Sequence, residues 1–350
     1  MLSDPRLHKN PLLPPGPDNP RNSEGAFVKL KDGRLMLAYS HFYGKEGRDD
    51  SPSYVAARYS GDGGKTWGGD LVLVPNEGQM NTMSVSFLRL QSGEIMLGYL
   101  VRNRVGDGQT LDYMARFSSD EAKSWSDAVC CSQPPSYYVV NNDRLVQLKS
   151  GRIVIPAADH KTFDGSSLGT GDGVCFLSDD SGRTWGRSAM VPNTPEPVNL
   201  QEPGLVELRD GRLLMLFRTL MWCLYRTYSE DQGRTWSQVE PTALKSPVSP
   251  ATCKRIPSTG DLLLVYNDHS NITPEYEGKR TPLVAAISRD EGETWETRRV
   301  LEDDPGGWYC YTAMHFEGDE VLLAHCAGQR ATGGLNLTQV TRFPVSWLYE

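Results

Sequence analysis

Ionisable and hydroxylated side chains recur in this chain at two fixed offsets from a set of turn glycines. Nine residues before the glycines at 33, 93, 151, 211 and 260 stand Glu24, Ser84, Asn142, Glu202 and Ala251. Seven to nine residues after them come Ser40 and His41, Asp159 and His160, Arg218, and finally Asn267, Asp268 and His269. A sixth unit, turning at Gly318, brings Tyr309 and Tyr311 to the corresponding region. Carboxylates, arginine, histidine and tyrosine that converge on one point can move protons, hold an anion and attack a carbon centre. Their repetition at common offsets predicts a polar funnel. No H-E-x-x-H or H-x-H spacing occurs, so neither a zinc site nor another cofactor is expected.

The elements that must position these groups read as hairpins. AFVKLKDGRLMLAYS (26–40), SFLRLQSGEIMLGYL (86–100), RLVQLKSGRIVIPAA (144–158) and GLVELRDGRLLMLFR (204–218) each place an apolar run on either side of a D-G or S-G turn. TCKRIPSTGDLLLVYN (252–267) and AMHFEGDEVLLAH (313–325) repeat the pattern. Runs of five to eight residues around such turns are strand pairs, not helices. After the first five hairpins comes a second repeat: SGDGGKTW (60–67), SSDEAKSW (118–125), SDDSGRTW (178–185), SEDQGRTW (229–236) and SRDEGETW (288–295). Its Asp can accept backbone N–H bonds across a bend, its Gly supplies positive φ, and its Trp packs beneath. These five acids sit at equivalent outer positions, so they are read as structural.

The turn glycines are spaced by 60, 58, 60, 49 and 58 residues. Six units of four strands predict an all-β fold, a six-bladed β-propeller with four-stranded antiparallel blades, spanning residues 1–350 as one domain. The sixth unit lacks the Asp-containing turn and is read as a closing blade, with residues 1–20 helping to close the ring. A formal net charge of −8 without a basic block argues against nucleic-acid or acidic-membrane partners. No apolar stretch suggests a signal or a span, so a cytoplasmic or already processed chain is expected. The seven cysteines lack C-x-x-C spacing and are read as free thiols. Oligomeric state is not legible.

The S-x-D-x-G-x-T-W phrase and the six-unit spacing resemble the sialidase (neuraminidase) superfamily over nearly the whole chain. The resemblance implies a glycosidase that grips a sugar carboxylate with arginines, attacks with a tyrosine activated by a glutamate, and uses an aspartate as acid and base. A neutral tyrosine suits an anionic substrate, which would repel a carboxylate nucleophile. EPGLVELRDGRLLMLFR nominates Glu202 as the base and Arg218 as a carboxylate ligand; KRTPLVAAISRDEGETW nominates Arg280. WYCYTAMHF nominates Tyr311 as nucleophile, with Tyr309 on the same strand face in reserve. RDDSPSYVAARYS nominates Asp50 as acid/base, with Asp49 the alternative.

The chain departs from the family where an Arg-Ile-Pro strand should carry a further clamp arginine. Here the stretch is NSEGAFV: Ser23 takes the arginine's place and Glu24 follows. Arg21 and Arg144 are candidates for the missing charge, and Asn142, His41, His160 and His269 for further sugar contacts. The implied partner is an acidic glycan or glycoconjugate. Two other readings are a propeller lyase or hydrolase of another acidic sugar, using His and Tyr, and a glycan-binding propeller without catalysis.

Overall fold

The computed structural model describes residues 4–161 and 170–350, so the first three residues of the N-terminal extension lie outside the described residues. Six antiparallel sheets follow one another around an axis and make a six-bladed β-propeller. The first blade is typical, with strands Arg21–Lys29, Leu35–Phe42, Ser53–Ser60 and Leu71–Val74 in that order from the axis outward. The sixth is completed across the ends of the chain: His8–Leu13 pairs with Thr338–Pro344 as its outermost strand. Among the described residues no helix is long and apolar enough to cross a membrane.

The second strand of each blade lies between two neighbouring blades, which explains its uninterrupted apolar run. Leu97 and Tyr99 of the second blade, for example, share a fully enclosed cluster with Ala26, Val28, Met36 and Ala38 of the first. Burying a side chain of this size is worth about 1.5–3 kcal/mol, so the packing between blades is a large stabilising contribution.

The Asp-containing turns join third to fourth strands, at the outside. In the first, Asp62 Oδ1 accepts from the N–H groups of Lys65 and Thr66 at 3.0 and 2.9 Å, and Oδ2 from Thr66 Oγ1 at 2.6 Å. The same set forms around Asp120, Asp180 and Asp231, and around Asp290 the two bonds from Thr294 recur. These hydrogen bonds consume the carboxylates locally and hold Asp62 well below the usual range, which fits a structural part.

The third blade departs from its neighbours. Its innermost strand is split into Tyr138–Val139 and Val146–Gln147, and residues 140–145 leave the sheet to cross the axis. Asn142 Nδ2 donates to the carbonyls of Gly25 (2.7 Å) and Tyr311 (3.1 Å). The Asp143 N–H donates to Val85 O at 2.9 Å, and its carboxylate accepts from Met314 N and Lys254 Nζ, each at 2.8 Å. Arg144 Nη2 and Nη1 reach Ala251 O and Thr252 Oγ1 at 2.9 and 3.2 Å. One six-residue stretch therefore ties the third blade to the first, second, fifth and sixth.

Candidate active site

Four innermost strands carry a bulge at the same height. Pairing shifts register between Ser23 and Ala26, Met83 and Ser86, Gln201 and Gly204, and Cys310 and Ala313. At each shift a non-glycine residue adopts positive φ: Glu24 (55°), Ser84 (59°), Glu202 (43°) and Tyr311 (55°). A bulge re-aims a side chain, and left-handed backbone on such residues is strain concentrated at one level of the fold. All four side chains line a cavity of about 340 Å³ at the axial mouth.

The centre of this cavity is a tyrosine–glutamate–arginine array. Tyr311 Oη donates to Glu202 Oε1 at 3.1 Å, and Arg218 forms an ion pair with the other oxygen, Oε2. Arg280 lies over the Tyr311 ring at 5.3 Å and over Trp308 at 5.1 Å, with Nη1 3.0 Å from Cys310 Sγ. Burial acts to raise the Glu202 carboxyl. The charges of Arg218 and Arg280, with hydrogen bonds from Arg218 and Tyr311, outweigh it and hold the group below the ordinary glutamate value. Burial, and next the Glu202 charge, hold the Tyr311 phenol well above its ordinary value. The pair is thus a protonated phenol aimed at an ionised base, the state in which a tyrosine can be activated.

The first blade brings acid to the same cavity. Arg21 spends its donors within the protein: Nε on Ser23 Oγ (2.9 Å), Nη1 on Asp49 (2.6 Å) and Gly47 O (3.3 Å), Nη2 on Glu24 (3.0 Å). Glu24 also accepts from Ser23 Oγ at 2.8 Å, and burial nevertheless pushes its carboxyl up. Desolvation raises the Asp49 carboxyl too, although its side chain stays 66% exposed, but the Arg21 charge and hydrogen bond, with the charges of Arg102 and Arg280, bring it below the usual carboxylate range.

Of the residues singled out by sequence, Glu24, Glu202, Arg218, Arg280, Tyr311 and His160 line the cavity, and so does Asp49. Several others do not. Asp50 accepts from Arg48 Nε at 3.3 Å and is not among the lining residues. Tyr309 does not share the face of Tyr311, because the bulge breaks the alternation between them; its ring is buried in the core, 6.3 Å from His325. Asn142 is spent on backbone carbonyls, and Arg144 lines a separate recess further along the axis. Arg21 sits behind Glu24 and Asp49, spends four of its five N–H donors within the protein and is not among the lining residues. His41 stacks on Tyr54 at 4.6 Å, away from the cavity. His269 places Nε2 at 3.0 and 3.1 Å from the carbonyls of Lys279 and Thr281, bracing the segment that presents Arg280.

One charged lining residue escaped the sequence reading. Arg102 stands nine residues after Gly93, the offset of His160 from Gly151, so the repeat itself pointed to it. The bulge register was also legible: each bulged residue is followed two places later by a small one, Ala26, Ser86, Gly204 or Ala313.

Residues 33–323 match the BNR repeat-like domain. The chain belongs to this family. As a BNR-repeat propeller it is 24% identical to a sialidase of Micromonospora viridifaciens, over 83% of this chain and 47% of the relative; it spans about half the length of that protein. A protein of unknown function from Dyadobacter fermentans has the same fold, with a TM-score of 0.77 at 20% identity, covering 97% of this chain and 100% of the other. The intramolecular trans-sialidase of Ruminococcus gnavus, solved with oseltamivir carboxylate, superposes with a TM-score of 0.73 at 14% identity, over 95% of this chain and 96% of that one. The leech intramolecular trans-sialidase gives 0.74 at 15%, over 95% and 69%. The BNR-repeat propeller of this chain thus shares its sequence pattern with a sialidase relative and its fold with the two trans-sialidases.

Proposed function

We propose that this protein is an exo-acting glycoside hydrolase that removes a terminal carboxylated sugar, sialic acid or a relative, with retention of configuration. The observation that carries the proposal is the hydrogen bond from Tyr311 Oη to Glu202 Oε1, with Arg218 on the second oxygen of the same carboxylate. Tyr311 attacks the anomeric carbon as its phenolic proton passes to Glu202. The leaving-group oxygen takes a proton from Asp49 as the glycosidic bond breaks. Water, deprotonated by Asp49, then attacks the anomeric carbon, and the departing tyrosine recovers its proton from Glu202. Arg218 and Arg280 hold the sugar carboxylate.

Asp49 takes the acid/base part in place of Asp50 because it lines the cavity and Asp50 does not. In the free cavity its nearest charges favour the ionised form. An incoming anion engages some of that positive charge and excludes water, both of which raise the Asp49 carboxyl toward the acid that the first step needs.

The test is mass spectrometry of products from a panel of sialylated and uronate-containing oligosaccharides, with Tyr311→Phe as control. A free acidic monosaccharide carrying one added water, lost in the variant, supports the proposal. Unsaturated products would transfer the chemistry to elimination, with His160 as the histidine in the cavity wall. No turnover together with retained binding in Tyr311→Phe would make the protein a glycan-binding propeller.

A further inference from the structure

The cavity that holds the tyrosine–glutamate array is also lined by a buried cation that has no ion-pair partner among the described residues. Arg102 ends the buried part of Ile95–Val105 in the second blade, is only 6% exposed and lines the cavity. Its guanidinium rests on the Tyr137 ring at 5.4 Å. Nη1 donates to the Gln109 amide oxygen at 3.2 Å, Nη2 lies 4.0 Å from Met83 Sδ, and Nε has no partner. Among the described residues no carboxylate comes within ion-pair distance, whereas Arg21 and Arg218 are each paired with buried glutamates. Asp49, the acid it acts on across the cavity, is already hydrogen-bonded by Arg21. Asn141 lines the same cavity, and its Nδ2 group is buried and unpartnered.

A buried, unpaired charge is costly to the folded protein, and an apolar residue of similar volume is often neutral or stabilising in its place. An arginine in that state, on the lining of a cavity that holds a second free donor, is arranged for an anion that arrives from outside. We propose that Arg102 and Asn141 form an oxyanion subsite on the second- and third-blade wall. It reads a carboxylate, sulfate or phosphate group of the bound sugar, separately from Arg218 and Arg280. The inference stands on this wall of the cavity and does not require the hydrolytic mechanism.

The experiment compares the intact wild-type chain with Arg102→Met, the closest unbranched apolar substitute. Thermal unfolding of each is recorded without ligand and with matched pairs: glucuronate against glucose, N-acetylneuraminate against its methyl ester, and glucose 6-sulfate and 6-phosphate against glucose. Titration calorimetry follows on the best pair. The expected result is that the ligand-free variant unfolds at the same or a higher temperature than wild type. An acid should bind wild type in preference to its neutral partner, and the variant should lose roughly ten- to a hundredfold in affinity for that acid only. The favoured pair distinguishes carboxylate from sulfate from phosphate.

A lower unfolding temperature in the variant, with acid preference intact, would make Arg102 a structural residue and overturn the proposal. So would the absence of any acid preference in wild type. Product analysis on wild type keeps the two readings apart. Acid binding lost in Arg102→Met without any turnover would sink the hydrolase and keep the subsite; turnover with kcat/KM unchanged in the variant would do the reverse.

Discussion

Glu202→Gln separates the chemical from the structural part of the central array. The substitution keeps the side chain's shape and removes its charge, so the Tyr311 proton loses its acceptor base and Arg218 loses its partner. A positioned general base contributes about 10²–10⁴ in rate, and kcat should fall by roughly that factor. Removing one member of a buried ion pair costs about 3–5 kcal/mol. For a chain of 350 residues the entropy of unfolding at the midpoint is about 0.7 kcal/mol per degree, so the Tm should fall by about 4–7 °C. Adding Arg218→Met removes the stranded charge, and the double variant should recover most of that Tm while remaining inactive. The assays are differential scanning calorimetry and steady-state kinetics on whichever glycoside the product screen identifies. Normal kcat in the single variant would refute the base assignment. Turnover returning with stability in the double variant would show that the pair only holds the site together.

The same carboxyl sets a pH dependence. Its value is depressed in the folded protein, so its stabilisation is present above about pH 4.5, the unfolded value, and is lost as pH falls through the folded one. Glu24 has the opposite sign: its raised value favours folding below about pH 4.5 and costs stability as pH rises toward the folded value. The Tm of Glu24→Gln relative to wild type should therefore climb between pH 4.5 and 7 in calorimetric scans; a difference that shrinks would mean the Arg21 pair dominates. Asp49→Asn should lower kcat by about 10²-fold or more, with partial recovery on substrates whose leaving group needs no protonation. Asp50→Asn should change kcat by less than about twofold, since surface substitutions away from a site are usually near neutral; the reverse ranking would restore Asp50 to the acid/base position.

The blade number and the order of strands were legible because hairpins and Asp-containing turns are local signals, closed within a dozen residues. The height of the site along the axis was also legible, since one offset from the turn glycine serves Glu24, Ser84 and Glu202 alike. Tyr311 could not be separated from Tyr309 by that count. The sixth turn is shorter, and the bulge between Cys310 and Ala313 inverts the alternation that seemed to put both tyrosines on one face. Arg21, Arg144 and Asn142 carry the right chemical groups, but what consumes those groups comes from Asp49, Ala251, Thr252 and Tyr311, far away in sequence. Asp49 and Asp50 are neighbours in a loop, where no period assigns a direction. Pairing is settled in three dimensions, and a one-dimensional pattern records only the candidates.

The axial crossing of residues 140–145 has a consequence for how the protein comes into being. Its partners at Gly25, Val85, Ala251, Tyr311 and Met314 span almost the whole chain. During synthesis the early blades can form their hairpins, but the carbonyl of Tyr311 reaches Asn142 only once the sixth blade has arrived and the N-terminal strand has been recruited to it. The level of the propeller that holds the cavity is therefore complete only when the ring has closed. A chain whose ring stays open lacks these axial bonds, so the cavity at the axis doubles as a report that the ring is whole.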